Sequence, residues 1–133
     1  MHKAAKGLAA LSLSFDRILT SPLERARQTA KIVAQTLQLE NQLAEIEQLC
    51  PDQSVKDLLS RLVAYSGAKK ILLIGHEPLL SSTVSYLLSG KAGAAVQFKK
   101  GGLCCLEVDG MPPQKSAVLQ WALTPKQLRL LAQ

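Results

Sequence analysis

The sequence predicts an α/β domain with a mostly parallel sheet and an antiparallel hairpin towards its C-terminus. Three observations carry that expectation. Lys70-Ile71-Leu72-Leu73-Ile74 is a short apolar run rich in branched residues, set between Gly67 and Gly75, which is the pattern of a strand buried on both faces. Residues 15–20, Phe-Asp-Arg-Ile-Leu-Thr, have the same character, and each run passes straight into a helical pattern. The last third changes: residues 103–108 and 117–123 read as strands separated by the turn signal Asp109-Gly110-Met111-Pro112-Pro113.

The elements follow in order. Residues 1–13 read as a helix with Ala5, Leu8 and Ala9 inward, and His2 as a surface residue at a frayed end. After the first strand, Ser21-Pro22-Leu23-Glu24 predicts a helix start, with Ser21 as N-cap, Pro22 at the first position and Glu24 completing a capping box. That helix runs to about residue 39 with a stripe of Leu23, Ala26, Ala30, Val33 and Leu37, and with Arg27 and Lys31 solvated. Residues 43–47 are a short strand. Ser54 and Asp57 form another capping-box pattern, opening a helix that turns Val55, Leu58, Leu59 and Leu62 inward and ends at Gly67. The central strand is followed by a helix from 78 to 89 that buries Leu80, Val84, Leu87 and Leu88, capped by Gly90. Residues 95–98 read as a strand, Trp121 as a core residue alternating with Leu119 and Leu123, and Thr124-Pro125 as the start of a terminal helix.

Composition bounds the function. At 133 residues the chain is expected to form one domain, residues 1–133, with a sizeable core. Sixteen Lys and Arg against ten Asp and Glu give a formal charge of +6, which favours an acidic or phosphorylated partner. Only 4% aromatic residues and no recognisable binding motif argue against nucleic acid. No apolar run approaches a membrane span and no signal segment opens the chain, so no membrane association and a cytoplasmic location are expected. Cys50, Cys104 and Cys105 have no metal-ligand spacing, and an odd count with an adjacent pair predicts reduced thiols. No metal and no cofactor are expected, and no glycine-rich phosphate loop marks a nucleotide-binding domain.

The two strand-to-helix junctions are the candidate site. Ligands of open α/β sheets bind outside the carboxyl ends of the strands. His76 follows a buried strand and a glycine and precedes Pro78, and Arg25 lies just inside the helix after the first strand. If the two strands share one parallel sheet, Arg25 and His76 converge on one spot, and a cavity lined that way suits a phosphate. The alternatives are a surface ion pair for Arg25 and a structural role for His76. Glu77 either orients the imidazole or supports the helix dipole, the second being preferred. Glu45 and Glu47 are either acids for a leaving group or the wet face of an edge strand; the latter is the expectation.

Ser21-Pro22-Leu23-Glu24-Arg25-Ala26-Arg27-Gln28-Thr29-Ala30 and Gly75-His76-Glu77-Pro78 resemble the second and third signatures of the histidine phosphatase superfamily, the phosphoglycerate-mutase-like proteins. The short length and the ending Trp121-Ala122-Leu123-Thr124-Pro125 resemble the small SixA-type phosphohistidine phosphatases. The resemblance implies a three-layer α/β/α sandwich. It also implies hydrolysis of phosphohistidine on a signalling or phosphotransfer protein through a phosphohistidine intermediate, without a metal, with Arg25 and His76 as catalytic residues. A small phosphorylated compound is the alternative substrate, and the oligomeric state is left open. The superfamily's first signature, the Arg-His-Gly that ends its first strand and supplies the nucleophile, does not occur in this sequence. That departure leaves a catalytically inactive phosphate-binding remnant as the alternative reading. It also leaves three ways to complete the sheet: closure of the flanking strands, a strand from a neighbouring chain, or a longer gene product, the last being the favoured expectation.

Overall fold

The computed structural model describes residues 2–93 and 100–133; the strand expected at 95–98 lies outside them. Three parallel strands, β1 (Arg17–Thr20), β2 (Leu43–Glu45) and β3 (Ile71–Ile74), form a sheet in the order β2-β1-β3. β4 (Leu103–Glu107) and β5 (Val118–Leu123) form a separate antiparallel pair. The helices are α1 (His2–Ala10), α2 (Glu24–Leu37), α3 (Val55–Leu62), α4 (Leu79–Ser89) and α5 (Pro125–Leu131). The expected mixed α/β class, with a parallel sheet and an antiparallel hairpin, is the one observed.

Period-two alternation along the strands builds the layers. Ile18 and Leu72, paired across β1 and β3, enter one core with Ala5 and Leu8 of α1 and Val33 and Ala34 of α2. Their neighbours Leu19 and Leu73 face the opposite core, with Leu58 and Leu62 of α3 and Leu79 of α4. The sheet is thus covered on both faces, which is why its strands read as continuous apolar runs. Where β1 and β3 begin, the Asp16 carboxylate accepts from the backbone N–H groups of Lys69 (2.7 Å) and Lys70 (3.0 Å). Those two bonds, Lys70's foremost, hold its carboxyl below its ordinary value.

Several local expectations are corrected. Leu23 is 45% exposed, because α2 begins at Glu24 and Leu23 precedes its first turn; Ala34 takes a place in the buried stripe instead. In α4 the buried face carries Leu79, Ser81, Thr83, Val84 and Ser85, whereas Leu80, Leu87 and Leu88 are only half-buried. Buried hydroxyls there can be satisfied by the helix itself: Thr83 Oγ1 donates to the Leu79 carbonyl (2.7 Å). Leu119 is 49% exposed, since β5 is an edge strand and the register slips between Cys105 and Leu106. The second strand ends at Glu45, not 47. Gly90 does cap α4 in the left-handed region (φ 80°), and Thr124 forms a capping box with Gln127 at α5. Ser54 caps α3 by accepting from Asp57 N–H.

Among the described residues, β3 pairs on one side only, with β1, and does not pair with β4. A cavity of about 500 Å³ is lined by both, together with α1 and α2.

Candidate functional site

That cavity is where the two predicted residues meet. β1 and β3 are adjacent and parallel, so the segments leaving their carboxyl ends emerge side by side. Arg25, on the first turn of α2, and His76, two residues beyond β3, both line the cavity. Arg25 is exposed and His76 half-buried. The surface ion pair considered for Arg25 does not form. Glu24 accepts instead from Arg27 (3.4 Å) and Gln28 (2.9 Å), and Arg25 has no ion pair or side-chain hydrogen bond among the described residues. Its guanidinium therefore keeps its five donors free for a ligand.

The start of α2 differs from the expected capping box. Ser21 is fully buried, and its Oγ accepts from the N–H of Leu23 (3.1 Å) rather than capping a turn that starts at Pro22. The same oxygen lies 3.0 Å from His76 Nε2 and 3.7 Å from Cys50 Sγ. Those partners hold the hydroxyl inside, Leu23 is extended (φ −69°, ψ 147°), and helical geometry begins at Glu24. Sequence reasoning gave Ser21 a purely local role; nothing short of tertiary contact across 55 positions reveals this one.

Glu77 behaves as preferred from the sequence. Its carboxylate accepts from the Ser81 N–H (3.2 Å) and the Ser81 hydroxyl, serving the first turn of α4 rather than the imidazole. Glu45, the last residue of β2, is exposed as the wet-face reading expects; Glu47 is exposed too but lies beyond the strand, in the 3-10 turn Glu47–Leu49, and neither lines the cavity. His2 is exposed at the start of α1. Lys100 also lines the cavity, beside Gly101 at φ 85°. The sequence signal that could have marked it is the Lys-Lys-Gly-Gly run at 99–102, a basic pair before a turn.

Two cations and a half-buried imidazole in one recess, against the apolar side chains of Leu72, Val33 and Leu8, suit a compact polyoxyanion. Among the described residues no group of three or more His, Cys, Asp or Glu is placed to hold a metal. No helix among them is long and apolar enough to cross a membrane.

Residues 1–48 match the family model of the histidine phosphatase superfamily, branch 1. That match covers the first 48 of the 133 residues, and over them the chain resembles this superfamily. The chain is also similar to the protein histidine phosphatase SixA, solved in complex with tungstate: TM-score 0.82 and 25% identity, over 96% of this chain and 80% of that one. It also shares its fold with the alpha-ribazole phosphatase of Shigella flexneri, with TM-score 0.71 and 19% identity over 93% and 81% of the two chains. An uncharacterised protein of Picosynechococcus sp. is 37% identical over 101 residues, which is 74% of this chain. The match spans 61% of the length of that curated relative.

Proposed function

We propose that this chain is the phosphate-holding part of a cytoplasmic phosphatase that hydrolyses phosphohistidine on a signalling or phosphotransfer protein. In that reading Arg25 spreads a planar fork over two equatorial oxygens and His76 donates to a third, offsetting the charge of the transferring group. The nucleophile would be a histidine that this sequence does not contain. It would take the phosphoryl group from the substrate, and water would then release inorganic phosphate. The observation that carries the proposal is that Arg25 and His76, 51 positions apart, line one cavity at the ends of adjacent parallel strands. The likeness to SixA, whose structure holds the phosphate-like oxyanion tungstate, supports it, and the basic charge of +6 favours a phosphorylated protein over a neutral ligand.

The test is a tungstate titration of the purified chain, read by calorimetry. Arg25→Ala is expected to weaken binding roughly 10- to 100-fold, the loss of charge-assisted hydrogen bonds. An unchanged Kd would remove the guanidinium from the site. The absence of Arg-His-Gly favours a second reading, an oxyanion-binding module without turnover. Hydrolysis of a generic aryl phosphate by this chain above background would refute that second reading. A small phosphorylated compound as substrate is separated from a phosphoprotein by comparing the turnover of the two.

A further inference from the structure

The hydroxyl of Ser21 is surrounded by three groups, and its hydrogen-bonding capacity fixes how they share it. A serine hydroxyl has one proton and two lone pairs. The Leu23 N–H, 3.1 Å away, can only donate, so it occupies one lone pair. One proton and one lone pair remain for His76 Nε2 at 3.0 Å and Cys50 Sγ at 3.7 Å, sulfur being the larger atom. When Nε2 is bare, the hydroxyl donates to it and the Cys50 thiol donates to the hydroxyl oxygen. When Nε2 carries a hydrogen, that N–H donates to the oxygen and the hydroxyl proton turns to Cys50 Sγ. Both arrangements use the proton and both lone pairs of the Ser21 hydroxyl and keep the His76 Nε2 bond. This matters because Ser21 is fully buried and Cys50 nearly so, where an unanswered polar group is costly.

We propose that Ser21 is a positioning residue that holds the His76 ring through Nε2 whether or not that nitrogen is protonated, with Cys50 as the alternate partner that makes both states possible. The ring nitrogen left for an oxyanion is then Nδ1, which has no hydrogen-bond partner among the described residues. The hydrogen-bond assignment stands on the contacts alone; only its meaning for phosphate binding rests on the function proposed above. A proton can be gained or lost at Nε2 without releasing the ring, because the hydroxyl simply rotates.

The experiment is nitrogen-15 NMR of the imidazole in the full chain at one fixed pH, with and without tungstate, on wild type, Ser21→Ala, Ser21→Thr and Cys50→Ala. Ser21→Ala is expected to move the Nε2 resonance and to weaken tungstate roughly tenfold, the effect of one lost hydrogen bond. Ser21→Thr restores both. Cys50→Ala shifts the Nε2 resonance towards the unprotonated position, since the outward-pointing hydroxyl proton loses its acceptor; a thiol that merely fills space would leave it where it was. Adding tungstate to wild type is expected to perturb Nδ1 more than Nε2. An Nε2 resonance identical in wild type and Ser21→Ala overturns the proposal, and so does tungstate acting at Nε2. A wild type that ignores tungstate while Nε2 responds to Ser21→Ala keeps the positioning role and removes the oxyanion reading.

Discussion

Gly7 supports a prediction whose size follows from three distances. A Cβ built on this residue would stand 1.9 Å from the Leu128 carbonyl oxygen, 2.8 Å from its carbon and 3.3 Å from its Cα, all backbone atoms of α5. Ordinary contact begins at 3.4 Å, so Gly7→Ala requires α1 and α5 to part by about 1.5 Å, a gap that close-packed interiors do not absorb. The parting loosens Ala5 and Leu8 on α1 and Leu128 on α5, all now at most 5% exposed. Overpacking of this kind costs about 1–3 kcal/mol. Against it stands the helix preference of alanine over glycine, worth up to about 1 kcal/mol. Since three backbone atoms of Leu128 are met at once, the cost falls in the upper part of that range, and the net is a loss of about 2 kcal/mol, for a chain of this length a fall in Tm of roughly 5 °C. Thermal unfolding followed by far-ultraviolet circular dichroism measures it. A variant as stable as wild type, or more stable, would show that α1 and α5 do not meet backbone to backbone.

Two further outcomes follow from the cores and thiols. Leu58→Ala empties a fully buried position between α3 and the sheet and should cost about 2–5 kcal/mol in urea unfolding; a loss below about 1 kcal/mol would mean that the position collapses or is wet. Burial, foremost, pushes the Cys104 and Cys105 thiols up, with Cys105 adding to the effect on Cys104 and Glu107 to that on Cys105, while Lys70 opposes it on Cys105. Both should alkylate more slowly with iodoacetamide at pH 8 than a free thiol does. Because the folded thiols ionise later than the unfolded ones, their stabilising effect is fully present below about pH 9 and falls as pH rises further. Alkylation at the free-thiol rate would place them in solvent.

Much of the architecture was legible because it rests on local patterns. The branched runs ending at Thr20 and Ile74 are strands covered on both faces, and a continuous apolar run of that length has few other homes. Gly90 and the Thr124 cap were readable because left-handed and N-terminal positions restrict residue choice. Arg25 and His76 could be placed together once their strands were put in one parallel sheet. What escaped depends on tertiary packing. Ser21 carries the features of a helix cap, yet its hydroxyl belongs to His76 and Cys50. The hidden face of α4 is its serine and threonine side, since side chains this small let the helix approach closely while bonding back to its own carbonyls. Leu119 looked internal because alternation marks a face without saying whether anything covers it.

The outward side of β3 presents peptide N–H and C=O groups that no described strand answers, beside apolar side chains. A strand side left unpaired can take up a strand from a second molecule. The chain's own defence is its surplus of six positive charges, which keeps copies apart while water carries few ions. Dissolved salt shortens the reach of that repulsion to about 10 Å at 0.1 M. Raising the ionic strength therefore weakens what keeps two copies of this chain apart, and dilute buffers preserve it.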